Sequence, residues 1–409
     1  MRAIWTVLLP LAVVAAFGQS APQRGEDQIA RIRARVAERT ARIPNYTCLE
    51  TIERLWYADD FETGKVIDRL RLEVAAIEGK EQFAWPGGSR FDSQDLQEVL
   101  GRGVTKTGDF SGFLDHIFVS DSATYTLIGE QLAAIRPAIR YDYRVPASNG
   151  YLLSRDGAEA VVGYHGSFWV DPETLDLVRL EIEADNIPPA VKTSSAKLAI
   201  DYGPVRVGTG DFVLPQATDV RVVSNRGLES RTITRFSGCR QFLAESTISF
   251  EERPVEQVAA ENDPGAELPP GVTLEVDLAT PIERRTAATG DMVEAQLRKE
   301  VKTKGGIQVP KGAVVEGRIV RLETRGSDPP CDLLALRFTK LRFGARQVRL
   351  RASVIRCGTG YRAPHGSPRS AEGAWQRLDP RSPMQFWGGF LELPKGLGLA
   401  LVTEAVPSR

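Results

Sequence analysis

Three histidines and four cysteines are the side chains in this sequence best suited to a reaction centre, and their spacing decides whether they can form one. His116, His165 and His365 lie far apart, and none falls in an HExxH or similar ligand spacing, so no metal site is expected. There is no G-x-S-x-G elbow, no Walker-type phosphate loop and no dinucleotide fingerprint. The run "GRGVTKTG" at 101–108 is rich in glycine but lacks the Gly-Lys pair, and it reads as a connector between helices. His165, in "GYHGSFW", reads as a turn residue rather than a base. Carboxylates in "YADDF" and "ETLDL" sit in turns, where solvation accounts for them, and paired-acid glycosidase chemistry has no visible cleft. No catalytic residue, metal ligand or cofactor is assigned. The expectation is a binding protein, not an enzyme.

The cysteines take their meaning from the start of the chain. Residues 1–20 carry one Arg, an apolar run from Ile4 to Phe17 broken by Pro10, and then small residues. That is the pattern of a secretory signal peptide, and the run falls short of the roughly 20 residues a membrane span needs. No cysteine follows the run to accept a lipid, and no further span follows, so the mature chain is expected in the periplasm or secreted. An oxidising compartment lets cysteines pair. Cys331 and Cys357 bracket two alternating runs joined at "FGAR", and folding about Gly344 sets them opposite one another, which predicts a cross-strand disulfide. Cys48 and Cys239, in the expected first and last strands of the other domain, remain to form the second bridge. The alternatives are four unpaired thiols or a metal site, and no CxxC spacing supports the metal.

The elements that must position these residues follow from periodicity. At 409 residues and 42% hydrophobic content the chain can bury two cores. Ile29, Ile32, Val36 and Ile43 form one helical stripe that should end before Pro44. From Tyr46 the period becomes two, through "TCLETIERLWY", "VIDRLRLEVAAIEG" and "KEQFAWPGG". Helical spacing returns in "FDSQDLQEVLGRG" and "FSGFLDHIFVS", and then strands resume to "ESRTITRFSGCRQF". In "GSFWVDPETLDLVRLEIE" an Asp-Pro turn joins two strands so that Phe168, Val170, Leu177 and Leu180 reach one core. The fold class is therefore mainly β (α+β). A curved antiparallel sheet with covering helices spans 27–250, an acidic linker 251–267, and a small β-barrel 268–409 with a mobile loop at 358–384. In the barrel an aliphatic-Pro-x-Gly motif occurs three times, with Pro269 and Gly271, Pro310 and Gly312, and Pro394 and Gly396. Each copy should turn the chain sharply into a following strand.

Two resemblances bear on function. The element order over Asp27 to Phe250, with the Asp-Pro hairpin, resembles the lipoprotein-sorting carriers (LolA-like) of the bacterial periplasm and the related anti-sigma-factor regulators. The resemblance implies a half-barrel that holds an acyl chain. The segment from Leu268 to Val320, with Gly271, Gly290, "VPKG" and Gly317-Arg318, is similar to the C-terminal β-barrel of the TrbI-like scaffold proteins of conjugation and type IV secretion. That family's membrane-crossing elements have no counterpart here.

The barrel segment from Leu268 onward carries 23 Lys plus Arg against 14 Asp plus Glu, a net of +9, so the remainder carries about −10. A basic domain tied to an acidic one could dock on it or face an anionic lipid or nucleic acid; solvated strand faces of opposite sign are the preferred reading, and no nucleic-acid partner is expected. Trp56, Phe83, Trp85, Phe168 and Trp169 fall on strands of the first domain and are candidates to line an acyl-chain pocket, with ordinary core packing as the alternative. The leading expectation is a carrier or sensor of lipid or lipoprotein. The next is a scaffold whose barrel docks on other envelope proteins or on itself, and last comes a hydrolase.

Overall fold

The computed structural model describes residues 21–57, 65–77, 80–87, 113–133, 136–155, 157–242, 267–303, 306–326, 330–358, 376–377, 379, 382–388 and 391–405. The signal segment, the piece 91–103, His365, all of 243–266 and most of 359–381 lie outside them. Helix α1 (Ala21–Ala41) ends three residues before Pro44 and buries Ile32 and Val36 completely or nearly so. Strands β1 (Tyr46–Tyr57), β2 (Lys65–Ile77) and β3 (Lys80–Ala84) form a meander. After a single π-helical turn, Asp115–Val119, come β4 (Thr124–Ala133), β5 (Arg136–Val145), a small hairpin of β6 (Tyr151–Arg155) and β7 (Ala158–Val162), then β8 (Tyr164–Val170), β9 (Leu177–Ala184), β10 (Thr193–Val207), β11 (Gly210–Ser224) and β12 (Glu229–Gln241). Pairing runs β3-β2-β1-β12-β11-β10-β9-β8-β5-β4 and is antiparallel throughout. The last strand thus returns to lie beside the first.

Strand alternation decides which face is buried. Tyr141, Tyr143, Phe168, Leu180, Ile182 and Ile200 stand opposite one another across β5, β8, β9 and β10, and they share one core with Ile32, Val36, Ile117 and Phe118. The Tyr141 ring stacks on Phe168 at 5.3 Å. The Asp-Pro hairpin is held by Asp171 Oδ1, which accepts from the N–H of Glu173 (2.9 Å) and of Thr174 (2.8 Å). Its four core residues Phe168, Val170, Leu177 and Leu180 are all buried. Among the described residues the sheet is covered by a single substantial helix, α1, rather than by several, and 113–120, the described part of "FSGFLDHIFVS", makes only a short helical turn. Eleven residues with two glycines or serines near the start are too few for a stable helix without strong packing.

The C-terminal part contains β13 (Thr273–Leu278), β14 (Ile282–Glu283), β15 (Met292–Leu297), β16 (Val301–Lys302), β17 (Gln308–Val309), β18 (Val314–Arg325), β19 (Cys331–Phe343), β20 (Arg346–Cys357), β21 (Gln376–Arg377), β22 (Met384–Trp387), β23 (Glu392–Leu393) and β24 (Gly398–Thr403). Strands β13, β15, β18, β19, β20 and β24 pair in that order, and β24 returns to β13, which closes a six-stranded antiparallel barrel. Two stretches read from sequence as loop, Gln376–Arg377 and the start of β22, instead pair with β20 and β19.

The three Pro-x-Gly copies share one geometry. Gly271, Gly312 and Gly396 have φ of +87°, +83° and +88°, a region in which a side chain is strained. Each glycine N–H donates to the last carbonyl of the neighbouring strand: Gly271 to Thr403 (2.8 Å), Gly312 to Leu297 (2.8 Å) and Gly396 to Leu278 (2.7 Å). The preceding Leu268, Val309 and Leu393 are buried to 1% or less. The motif therefore plugs the core with its aliphatic residue and ties a new strand to the end of an old one.

The predicted Cys331–Cys357 disulfide is not formed, and both cysteines are free and buried. The β19/β20 hairpin keeps register from Phe343↔Arg346 only as far as Arg337↔Ser353. Beyond that point β22 takes the start of β19, with Cys331 opposite Trp387, while Cys357 pairs with Leu399 of β24 and Gln376 of β21. Inserted strands separate two positions that a simple hairpin would join.

The barrel is also fastened to the sheet. Strand β3 covers only Glu73–Ile77 of β2, which leaves the edge of Lys65–Arg71 for another partner. Arg71 N–H donates to Thr289 O (2.8 Å) and Thr289 N–H to Arg69 O (2.9 Å). Asp68 faces Glu323, Lys65 Nζ donates to Gly326 O, and Arg71 pairs with Asp291. Arg318 stacks over Trp85 at 5.5 Å. An unpaired strand edge attracts any donor or acceptor row, and here the barrel supplies it.

Candidate functional site

The five aromatic candidates do not share one pocket. Phe168 is fully buried in the filled core beneath α1, and Trp169, the next residue, points to the other face, against Ala133 and Ala138 with Arg140 over its ring at 5.4 Å. Phe83 and Trp85 pack on Ile52, Leu70 and Leu72 near the barrel. Trp56, at the end of β1, is 65% exposed. Alternation alone sends neighbouring aromatics to opposite faces.

The sheet's outer face carries an open groove of about 690 Å³ lined by charged residues. Its charged side chains are paired, with one another or with carboxylates beside the groove. Asp142 takes Arg140 and Ser167, Glu181 and Asp201 take Arg179, and Glu183 takes Lys197. His165 lies within β8, not in a turn, with Nδ1 2.7 Å from Asp185 Oδ1, and Arg144 also pairs with Asp185. Groups so satisfied have little to offer a ligand. Among the described residues no cluster of three or more His, Cys, Asp or Glu side chains is arranged to hold a metal.

A different site lies under the C-terminal half of α1. There a cavity of about 170 Å³ is bounded by Val36 and Ile43, by Leu114 and Leu177, and by Val213 and Pro215 of β11. Its floor includes Tyr202 of β10, whose buried hydroxyl has no hydrogen-bond partner. Burial holds that phenol far above its ordinary pKa, with nearby Tyr46 adding to the shift, so it stays a neutral donor. Tyr46 also lines the cavity, and burial followed by the charge of Glu81 pushes its phenol up to about 12. At the rim, Arg35 and Arg39, one helical turn apart, both grip Asp176 of the Asp-Pro hairpin at 3.0 Å. A mostly apolar cavity with one unsatisfied donor is the usual form of a small-ligand site. Sequence reasoning missed it because Tyr46, Tyr202 and Val213 sit in strands far apart in the chain, and nothing local marks them.

The Cys48–Cys239 disulfide closes the same end of the sheet. Register shifts between Thr47↔Arg240 and Leu49↔Ser237, so Cys48 faces two residues of β12, and Gly238 (φ +58°) makes the bulge that turns Cys239 towards it. The "SGC" triplet was the local signal of that bulge.

No protein-family model and no curated protein matches the chain. Among solved structures the chain is similar to a DUF1329 family protein from Desulfovibrio piger, at 12% identity over 55% of this chain and 97% of that one, TM-score 0.29. It is also similar to a domain assigned to outer membrane lipoprotein sorting from Vibrio parahaemolyticus, at 6% identity over 54% and 95%, TM-score 0.29. A LolA superfamily protein from Nitrosomonas europaea matches at 8% identity over 52% and 93%, TM-score 0.27.

Proposed function

We propose that this is an exported, non-enzymatic binding protein of the cell envelope that takes an apolar segment of a lipid or lipoprotein into the cavity beneath α1, as a carrier or sensor. The observation that carries this reading is the pairing of an apolar cavity with the unpartnered Tyr202 hydroxyl. A cavity near 150 Å³ admits a six-membered hydrocarbon ring, so about 170 Å³ suits roughly six carbons of an acyl chain. The hydroxyl would meet an acceptor such as an ester carbonyl, and burial of an unpaired donor, costing about 1–3 kcal/mol, would be relieved on binding. The Cys48–Cys239 bridge supports an oxidising compartment.

The test is native mass spectrometry of protein taken from its own envelope, followed by displacement of an environment-sensitive fluorescent fatty acid. Extra mass of lipid size and saturable displacement are expected. Val36→Phe, which fills the cavity with apolar bulk, should abolish both while the circular dichroism spectrum is unchanged. A bare mass with no saturable dye binding would sink the proposal.

A further inference from the structure

The cavity under α1 has two phenols and four charged side chains in its lining, and their arrangement bears on the ligand's own charge. Tyr202 is 7% exposed, and its hydroxyl has no hydrogen-bond partner. A bulge sets it in place. The register of β10 against β11 passes from Asp201↔Ala217 to Tyr202↔Pro215, so Gln216 is left over, and Pro215, which has no N–H, faces Tyr202. Both Tyr202 and Pro215 line the cavity. Tyr46 enters from β1, near enough to Tyr202 to act on its ionisation. Burial above all keeps both phenols protonated, so each is a neutral donor.

The four charges balance. Arg35 and Arg39 of α1 both grip Asp176 of the hairpin at 3.0 Å, and Arg35 also reaches Glu38 at 3.4 Å. Glu81 of β3 is the remaining charge of the lining, and after burial it is the group that acts on the Tyr46 phenol. From β10 and β11 come Tyr202 and the uncharged Val213, Leu214 and Pro215. The guanidinium groups at the rim are thus engaged by carboxylates, and the charge nearest the phenols in effect is negative. An ionised carboxylate leaving water needs a counter-charge and several donors, whereas a carbonyl oxygen is satisfied by one or two.

We infer that Tyr202, with Tyr46 beside it, makes this cavity selective for an uncharged acyl group, an ester or amide carbonyl, against the carboxylate of a free fatty acid. The selectivity rests on the function proposed above and narrows its ligand class. A free fatty acid enters the cavity only as the protonated acid.

The experiment is calorimetric titration of the full mature chain with hexanamide and with hexanoate, which match in size and differ in charge. At about pH 7.5 hexanamide should bind at least about tenfold more tightly, since an ordinary carboxyl, with a pKa of about 4.3, is almost wholly ionised there. Hexanoate affinity should rise roughly tenfold per unit as the pH is lowered to about 5.5, in step with the protonated fraction. Hexanamide affinity should stay constant, and it reports any titration of the protein itself. Tyr202→Phe should weaken hexanamide about fivefold, the worth of one neutral hydrogen bond. Binding of neither compound would overturn this selectivity together with the carrier reading. Hexanoate bound as tightly as hexanamide at about pH 7.5, hexanoate affinity independent of pH, or hexanamide affinity indifferent to Tyr202→Phe would overturn the selectivity alone and leave the cavity a ligand site.

Discussion

Replacing Gly290 by alanine is expected to release the barrel from β2 while leaving the sheet and the barrel folded. Gly290 has φ +105°, and a Cβ built there would lie 2.2 Å from Arg71 O and 3.2 Å from the Trp85 ring. A side chain in that backbone region costs about 1–3 kcal/mol. The contact is with backbone, which cannot rotate away, so Arg71 must shift. That shift would strain the Arg71 N–H bond to Thr289 O, the Thr289 N–H bond to Arg69 O and the Arg318 stack on Trp85. Each hydrogen bond is worth about 1 kcal/mol. Local opening should therefore become easier by about 2–4 kcal/mol, and amide exchange at Arg71 and Thr289 should quicken roughly 30- to 700-fold. Exchange in β8 to β10 and in β19 should not change. The assay is native-state hydrogen exchange read by mass spectrometry of peptides. Unchanged protection at Arg71 and Thr289 in Gly290→Ala would refute the reasoning, because a 2.2 Å contact cannot be accommodated in place.

Other outcomes are specific. Without reductant, the unfolded chain should react with two equivalents of thiol reagent, at Cys331 and Cys357, and with reductant four; no reaction without reductant would mean that these two are bonded after all. In the native chain Cys357 should stay unreactive near neutral pH, since burial pushes its thiol up to about 11. Joint replacement of Cys48 and Cys239 by serine opens a constraint between residues 191 apart and should cost up to about 5 kcal/mol in urea unfolding. Tyr202→Phe removes an unpaired buried hydroxyl, so the ligand-free chain should gain about 1 kcal/mol while fatty-acid affinity falls; a loss of stability would show that the hydroxyl is satisfied. The Thr174 N–H bond above all, with that from Glu173, holds the Asp171 carboxyl below its usual range. Its stabilisation is present above about pH 4 and lost as pH falls through the lowered value, so Asp171→Ala should flatten the acid limb of a stability profile.

The sequence by itself determined what is local. Alternating residues in "RYDYRV" and "LVRLEIEA" make half-buried strands wherever they pack, Asp171-Pro172 closes its hairpin through its own side chain, and glycine in each Pro-x-Gly turn permits the positive φ found there. The Cys48–Cys239 bridge was reached from sequence only as the remainder of a Cys331–Cys357 pairing that does not form, and it is β12 returning beside β1 that brings the two together. Tertiary structure decided the rest. Whether Cys331 meets Cys357 depends on β22, whose pairing with β19 no hairpin rule anticipates. The barrel's place was set by an edge: β3 is too short to cover β2, and Thr289 and Glu323 fill the remainder. The cavity under α1 exists because side chains from α1, β1, β10 and β11 fail to fill one volume, leaving the Tyr202 hydroxyl unpaired. Packing density and edge pairing are properties of segments brought together, and no periodicity within one segment encodes them.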